Sequence, residues 1–286
     1  MRNRTRGGCA LVALAQVVVT APQPIDRAVW EAAAPKFVQS HSAPTLMTEH
    51  VARWKIGICP VTRGLAAGYN DFVSARVREV ARTAGAPVDD EPQSCKKNAE
   101  IIFTTEPQKL LNNVVQDHDG LLGFHWVSQT QKVATVTRPI QSWYVTATVG
   151  KRGLEAVDDQ LQYLYAAVPP GKEVTGTRIP RGYPTRITHA LVVVDWNKVQ
   201  GYTIGSIADY VAMLTLAQPR TLDDCTALPS ILDLFSSGCG PGQKTEALTD
   251  VDRAYLKALY VVDPGLMLTF QRGSIARHMK QYLGVR

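Results

Sequence analysis

The most informative pattern of apolar and polar positions covers residues 187–218, which begin as a predicted strand and end as a predicted helix. Residues 188–195 are mostly apolar and predict a buried strand. After a short turn that contains Gly201, residues 203–218 predict a helix that is apolar on nearly every side. Such a helix is usually buried, so the carboxylate in its middle, Asp209, needs a partner or must be neutral.

The remaining pattern predicts strands and helices that alternate early in the chain and give way to helices later. Valines at helical spacing between Asn70, a predicted N-cap, and Gly85, a predicted C-terminal stop, indicate an amphipathic helix. The other predicted elements are strands at 55–59, 101–103, 124–129, 132–137 and 142–149, and helices near 110–115, 249–259 and 273–283. This order predicts an α+β fold in which helices pack on a mixed β-sheet.

The first 21 residues have the pattern of a secretory signal peptide. Three arginines within the first six residues precede an apolar run at 9–21, which is shorter than the roughly 20 residues that a membrane-spanning helix needs. Cleavage is expected near Ala21, and an uncleaved N-terminal anchor is the alternative. The pattern therefore predicts a periplasmic or secreted protein whose mature chain has no membrane span.

The residues after the predicted signal divide into an arm and one domain. Residues 22–48 are rich in proline and alanine and are interpreted as an N-terminal arm with a short helix near 28–34. The mature length is sufficient for one large domain with a sizeable core or for two small ones, and we interpret residues 49–286 as a single domain. Within this domain, residues 151–184 are rich in proline and glycine and predict a long loop or insertion.

Loss of the signal segment lowers the net charge. The formal charge falls from +6 to about +3, because residues 1–21 carry three arginines and no acidic residue. A charge this small does not favour binding to nucleic acid or to a membrane surface. The sequence therefore predicts neither of these as a partner.

Four cysteines remain after cleavage, at positions 59, 95, 225 and 239. An even number in an exported chain predicts two disulfides, and four cysteines allow three pairings. We favour Cys59–Cys95 and Cys225–Cys239, because each of these pairs closes a local loop. A metal site is disfavoured, since no two cysteines have the close spacing of zinc ligands.

The chain resembles zincin-like metallopeptidases, and more specifically a secreted proteobacterial family of unknown function whose zinc helix is degenerate. The resemblance extends over residues 50–283. It depends on Arg53-Trp54, Trp143-Tyr-Val-Thr-Ala147, Ile207-Ala-Asp-Tyr-Val-Ala-Met213, Leu248-Thr-Asp-Val-Asp252, Leu259-Tyr260 and Pro264-Gly265. It implies a zincin-like α+β architecture in which residues 203–218 take the place of the zinc helix.

A zincin helix has the form H-E-x-x-H, in which two histidines bind zinc and the glutamate activates a water molecule. In this chain Ala208 and Ala212 stand at the two metal positions, and Asp209 stands at the acid. Alanine cannot bind a metal, so the usual catalytic zinc is excluded at this site, and we predict no metal ligand and no cofactor. Asp209 is either a retained catalytic base or pocket acid, or a structural acid satisfied by an arginine, a tyrosine or a backbone amide.

Other candidate motifs are weak. Residues 238–245 nearly match a phosphate-binding loop, but Gln243 replaces its second glycine, so we interpret them as a surface loop. His125 and His189 lie in predicted strands and are interpreted as core-edge residues rather than metal ligands. The acids Asp250 and Asp252 are interpreted as residues of a helix start.

These observations favour an exported, non-catalytic zincin-like protein that binds another component of the cell envelope, a protein or a peptide. The expected ligand site is the cleft that a missing zinc would leave beneath the helix containing Asp209. The alternative is a hydrolase in which Asp209 is the general base and a metal or an acid comes from elsewhere.

Overall fold

The computed structural model describes residues 25–45, 48–91, 93–149, 155–157, 184–225 and 227–285. The predicted signal peptide at 1–21 and most of the predicted insertion at 151–184 lie outside these residues. The part of the chain that the structure describes forms a mixed sheet with helices packed on it, which agrees with the predicted α+β fold.

The sheet combines parallel and antiparallel strands. Its strands are β1 (Arg53–Trp54), β2 (Pro60–Arg63), β3 (Ala99–Thr104), β4 (Ile140–Val149), β5 (Glu155–Val157) and β6 (Thr185–Asp195). Their order is β2-β3-β6-β4-β5, and β1 pairs with the beginning of β6 on the same side as β3. The pairs β1–β6, β2–β3 and β3–β6 are parallel, whereas β4 is antiparallel to both β6 and β5.

The helices are α1 (Arg27–His41), α2 (Ala67–Ala84), α3 (Pro107–Asp117), α4 (Thr130–Val133), α5 (Ile204–Leu216), α6 (Asp250–Val261) and α7 (Leu268–Tyr282). Short 3-10 turns lie at Asp119–Leu122, Val127–Gln129, Ile231–Phe235 and Pro241–Gln243. Among the described residues, no helix is long and apolar enough to cross a membrane.

Strand β6 supplies side chains to two hydrophobic cores, one on each face of the sheet. Ala190, Val192 and Val194 belong to the larger core, which contains residues of α1, α2, α5, α6 and α7. Leu191 and Val193 point to the opposite face and join the smaller core beneath α3. Because successive side chains of a strand alternate between faces, burial on both faces explains the apolar run that predicts this strand.

Helix α5 is the most deeply buried element, since every residue from Ser206 to Leu216 is buried. Thr203 caps its N-terminus by accepting a hydrogen bond from the amide of Ser206. The last carbonyl groups of a helix have no partner within it, and a buried helix end cannot use water. Three buried side chains supply the donors: Trp54 Nε1 to Thr215 O (2.8 Å), Tyr144 OH to Leu214 O (2.6 Å) and Tyr260 OH to Leu216 O (2.8 Å).

Arg53 supplies hydrogen-bond donors to the carbonyl groups at the C-terminal end of α6. The guanidinium group of Arg53 is completely buried and donates to Leu259 O, and to Val262 O at 2.6 Å. Its other terminal nitrogen donates to Gln271 Oε1 at 3.3 Å. The C-terminus of a helix carries a partial negative charge, so it stabilises this cation although burial lowers the pKa of Arg53 to about 10.

Both predicted disulfides are present in the structure. Cys59–Cys95 joins the segments that precede β2 and β3. Cys225–Cys239 closes the loop that contains the 3-10 turn at Ile231–Phe235. Each bridge therefore closes a local loop of the chain, which is the argument from which these two pairings were predicted.

Two strand predictions are wrong. Residues 124–129 contain a 3-10 turn at Val127–Gln129, and residues 132–137 contain the end of α4 followed by a loop. The chain turns at Gly123, whose φ is +74° and where a Cβ atom would lie 2.0 Å from Tyr144 O. Val133, Ala134 and Val136 instead pack in the smaller core on one face of the sheet, so these β-prone residues contribute to the core without strand pairing.

The interpretation of residues 22–48 as an arm outside the domain is also wrong. Helix α1 is longer than the predicted 28–34, and Trp30, Phe37 and Val38 are buried in the larger core. Asp26 caps this helix, and Pro35 lies inside it. The predicted strand at 55–59 is replaced by the short strands β1 and β2 on either side of it.

We predict that Tyr144→Phe lowers the free energy of unfolding by about 2 kcal/mol, because two buried carbonyl groups lose a donor. These are Leu214 O at 2.6 Å and Ala217 O at 3.1 Å from the Tyr144 hydroxyl oxygen. The measurement is urea unfolding followed by circular dichroism. Tyr202→Phe is the matched control, since this tyrosine is 36% exposed, and equal effects of the two substitutions would contradict the capping role.

Candidate functional site

Asp209 forms a partly buried ion pair with a residue that sequence reasoning did not identify. Its Oδ1 accepts a hydrogen bond from Arg76 Nε of α2 at 2.6 Å, and its Oδ2 accepts one from the backbone amide of Leu248 at 2.9 Å. The Asp209 side chain is 7% exposed and the Arg76 side chain is 22% exposed. Both carboxylate oxygens therefore have partners, which is the arrangement expected for a structural acid.

The helix face that would carry zinc ligands is closed. Ala208 and Ala212 are both completely buried in the larger core, and Asp209 is 5% exposed. Methyl groups fill the two metal positions and pack against neighbouring side chains. The expectation of an open ligand cleft beneath this helix is therefore wrong, because α5 is surrounded by packed core.

We predict that Asp209→Asn and Arg76→Met each lower the free energy of unfolding by about 2 kcal/mol, since each leaves one charged partner uncompensated. The double variant should lose less than the sum, with a coupling of about 1 kcal/mol. Urea unfolding of all four proteins measures this cycle.

The control for that cycle is Glu79→Gln, which removes the other, exposed carboxylate bound to Arg76 at 2.8 Å. Its effect should stay below about 0.5 kcal/mol. Additive effects of the Asp209 and Arg76 substitutions would contradict the structural role of this ion pair.

A second buried polar cluster joins α1, the loop before α6 and α6 itself. The hydroxyl of Ser230 donates to Asp252 Oδ1 at 2.7 Å and lies 3.0 Å from His41 Nε2. Asp252 Oδ2 accepts from the amides of Ile231 and Thr249 at 2.8 and 3.0 Å. Asp252 also closes a capping box with Thr249, which confirms its prediction as a helix-start acid.

This cluster contains the residue types of a serine hydrolase, but its order and burial are different. Ser230 lies between the acid and the imidazole, whereas in a catalytic triad the imidazole lies between the acid and the serine. Ser230 and Asp252 are completely buried and His41 is 4% exposed. The cluster therefore holds α1 against α6 and offers no accessible nucleophile.

Burial controls the protonation of this cluster. It lowers the pKa of His41 to about 4, although the carbonyl of Phe37 opposes the shift. Burial also raises the pKa of Asp252, against the effect of its hydrogen bonds from Ser230 and the backbone. His41 is therefore neutral in the folded protein near neutral pH.

We predict that acid weakens the fold through His41. As the pH falls below about 6.5, His41 becomes protonated in the unfolded chain, whereas in the folded protein it stays neutral down to about pH 4. The free energy of unfolding should therefore be about 2 kcal/mol lower at pH 4.5 than at pH 7 because of this residue. The variant His41→Gln should be less stable at pH 7 but should lack this loss. Urea unfolding at the two pH values measures the difference, with the exposed His118→Gln as the control.

Asp233 does not disturb that comparison. Burial raises its pKa to about 6, so it favours the folded state as the pH falls. This contribution is opposite in sign to that of His41 and is present in both proteins, so it cancels in the difference. Equal losses in the wild type and in His41→Gln would contradict the prediction.

The most accessible candidate site lies at the carboxyl ends of β2 and β3. These neighbouring parallel strands are followed by helices on opposite faces of the sheet, since α2 packs in the larger core and α3 in the smaller one. In open α/β sheets, ligands bind in the crevice where strand connections diverge in this way. A crevice of about 570 Å³ is present at this point.

The crevice is lined by two loops, the first turn of α2 and the residue after β6. Its lining residues are Gly64, Leu65, Ala66, Tyr69, Phe103, Thr104, Thr105 and Trp196. Tyr69 is 57% exposed and Trp196 is 38% exposed. Among the residues that the structure describes, the lining has no carboxylate, imidazole or thiol side chain.

Local sequence explains the shape of this crevice. Gly64 has a φ of +96°, and a Cβ atom there would lie 1.9 Å from Phe103 O, so only glycine lets the loop approach β3 this closely. Asn70 does not act as the predicted N-cap of α2; its side chain holds the backbone N–H and C=O of Leu65. The sequence signal for this site is the segment Gly64-Leu-Ala-Ala-Gly68, which directly follows β2.

The other predicted motifs have structural explanations. His189 Nε2 lies 3.4 Å from Glu100 Oε1 at the edge of the smaller core, and this contact lowers the pKa of Glu100. His125 lies in a loop rather than in a strand, near Gly123 O and Thr130 Oγ1. Residues 238–245 form a loop that contains a 3-10 turn, with Gln243 Oε1 accepting from the amide of Gly240.

Comparison with known proteins finds no match among protein-family models, curated proteins or solved structures. The zincin-like resemblance therefore stays a prediction. The function must therefore be inferred from the geometry of the crevice and from the hydrogen-bond partners of the buried acids Asp209 and Asp252.

Proposed function

We propose that this protein is an exported, non-catalytic binding protein that takes an apolar side chain of another cell-envelope protein or peptide into the crevice beside Tyr69 and Trp196. The crevice itself is the observation that carries the proposal. It lies at the divergence of the connections after β2 and β3, and it presents two exposed aromatic rings across about 570 Å³.

The use of the buried ionisable groups supports the absence of catalysis. Asp209 is bound by Arg76 and by the amide of Leu248, and Asp252 is bound by Ser230 and two backbone amides. A catalytic base must be within reach of a substrate, and these groups are enclosed by the core. In this proposal the protein keeps a zincin-like scaffold, and Ala208 and Ala212 replace the two metal ligands.

Export is supported by two features of the chain. Its N-terminal pattern is that of a signal peptide, and its four remaining cysteines form two disulfides. Disulfides persist in oxidising compartments such as the periplasm and the extracellular space. An envelope component is therefore the class of partner that the protein meets.

The choice of an apolar side chain as the ligand follows from the lining. Aromatic residues in partly enclosed sites are the usual anchors of protein interfaces, because they bury a large area with few rotatable bonds. Phe103 supports Trp196 from below in an edge-to-face contact, with ring centroids 6.1 Å apart. The net charge near +3 gives no electrostatic reason to favour nucleic acid or a membrane surface.

We predict that a photo-crosslinking amino acid at position 69 forms an adduct of defined mass with one envelope protein in the native host. The same amino acid at position 126 should not, although Trp126 is also exposed, because it does not line the crevice. Trp196→Ala should abolish the adduct from position 69. A synthetic peptide covering the crosslinked segment should bind the purified protein and lose binding when its apolar anchor is replaced by alanine.

Two outcomes would contradict the proposal. Equal adducts from positions 69 and 126, or an adduct that is insensitive to Trp196→Ala, would place the partner elsewhere. Stoichiometric zinc in purified mature protein, measured by elemental analysis, would contradict the non-catalytic part independently of the crevice.

A further inference from the structure

A carboxyl group lies against the second disulfide. The 3-10 turn at Ile231–Phe235 places Asp233 so that one of its carboxylate oxygens and the sulfurs of Cys225 and Cys239 all lie within 4.8 Å of one another. Asp233 is 3% exposed, and its Oδ2 accepts from the amide of Ser230 at 3.0 Å. Both sulfurs are already bonded to each other, so this group is not a metal site in the oxidised protein.

The two sulfurs differ in their access to solvent. Cys225 is half-buried and lines a cavity of about 1090 Å³ between α1 and residues 220–225. Cys239 is 8% exposed and faces the interior. A thiolate in the cavity therefore attacks the Cys225 sulfur. The Cys239 sulfur is then the leaving group when the disulfide breaks.

We propose that the Cys225–Cys239 bridge is a thiol-exchange site, at which a dithiol reductant attacks Cys225 from the cavity and the Asp233 carboxyl group protonates the departing Cys239 sulfur. In the first step the reductant thiolate bonds to Cys225, the Cys225–Cys239 bond breaks, and the proton of Asp233 passes to Cys239. In the second step the other sulfur of the reductant bonds to the first, the bond to Cys225 breaks, and the proton of that second thiol passes to Cys225. The bridge is then reduced to two thiols and the reductant is oxidised to a disulfide.

The electrostatics of Asp233 suit this role. Burial, assisted by the nearby charge of Asp252, raises the pKa of Asp233 to about 6, against the hydrogen bond from Ser230. A carboxyl group with this pKa is protonated in a useful fraction of molecules near neutral pH, unlike an ordinary aspartate. The titratable groups that face it are Asp252 from α6, Tyr210 from α5 and, through Ser230, His41 from α1.

The test is reduction of the full mature protein by dithiothreitol with EDTA present, followed by alkylation and peptide-resolved mass spectrometry. Opening of the Cys225–Cys239 bridge should be at least about tenfold faster in the wild type than in Asp233→Asn at about pH 5. The ratio of the two rates should fall to one or below at about pH 8, where Asp233 has lost its proton. Comparing proteins at the same pH removes the change in thiolate concentration of the reagent.

Two controls separate local exchange from other effects. Asp223→Asn removes an exposed carboxylate that lines the same cavity, and it should react like the wild type. The Cys59–Cys95 bridge, whose sulfurs belong to residues 0% and 9% exposed, reports opening of the whole fold. Equal rates for the two bridges, equal rates for the wild type and Asp233→Asn at about pH 5, or equal slowing by Asp223→Asn would each overturn the proposal.

The wild type alone also tests the proposal if Asp233→Asn does not fold. Its rate constant for the Cys225–Cys239 bridge, divided by the concentration of dithiothreitol thiolate, should fall as the pH rises through about 6. A value that is independent of pH between about 5 and 8 would overturn the assignment of Asp233 as the proton donor.

Discussion

Helix α5 is buried along nearly its whole length, so the protein itself must supply hydrogen-bond donors for the last carbonyl groups of this helix. The donors come from three separate elements: Trp54 from β1, Tyr144 from β4 and Tyr260 from α6. Each donor is a large aromatic side chain, so the same residue fills core volume and satisfies a carbonyl group. The sheet and the neighbouring helix are thereby fixed around the end of α5.

The same rule explains why the buried charged groups are structural. Arg53 is stabilised by the carbonyl end of α6, and Asp209 by Arg76 and a backbone amide. Arg53 and Asp209 are held by these partners in the resting protein, so neither is free to exchange protons with a substrate. The side chains on which both proposals depend lie nearer the surface, with Tyr69 57% and Trp196 38% exposed and Cys225 half-buried.

Much of the helical and strand pattern could be predicted from the sequence, because apolar spacing reports burial locally. The strand and helix at 187–218, the end of α2 at Gly85, both disulfides and the demand of Asp209 for a partner followed from such patterns. The strands predicted at 124–129 and 132–137 were wrong because Val133, Ala134 and Val136 pack on a face of the sheet, and a short apolar pattern does not distinguish such packing from strand pairing. The identity of Arg76 and the shape of the crevice could not be predicted, since both depend on contacts between residues distant in the chain.

The two-residue strand β1 has a consequence for the order of folding. Arg53 and Trp54 pair with Arg186 and Ile187 of β6, and they complete the ends of two different helices that follow much later in the chain. Contacts over such distances form slowly, because the loop between them must close first. Because Arg53 and Trp54 are adjacent, the pairing of β1 with β6 places both side chains at once, so the C-terminal ends of α5 and α6 depend on the same two-residue strand.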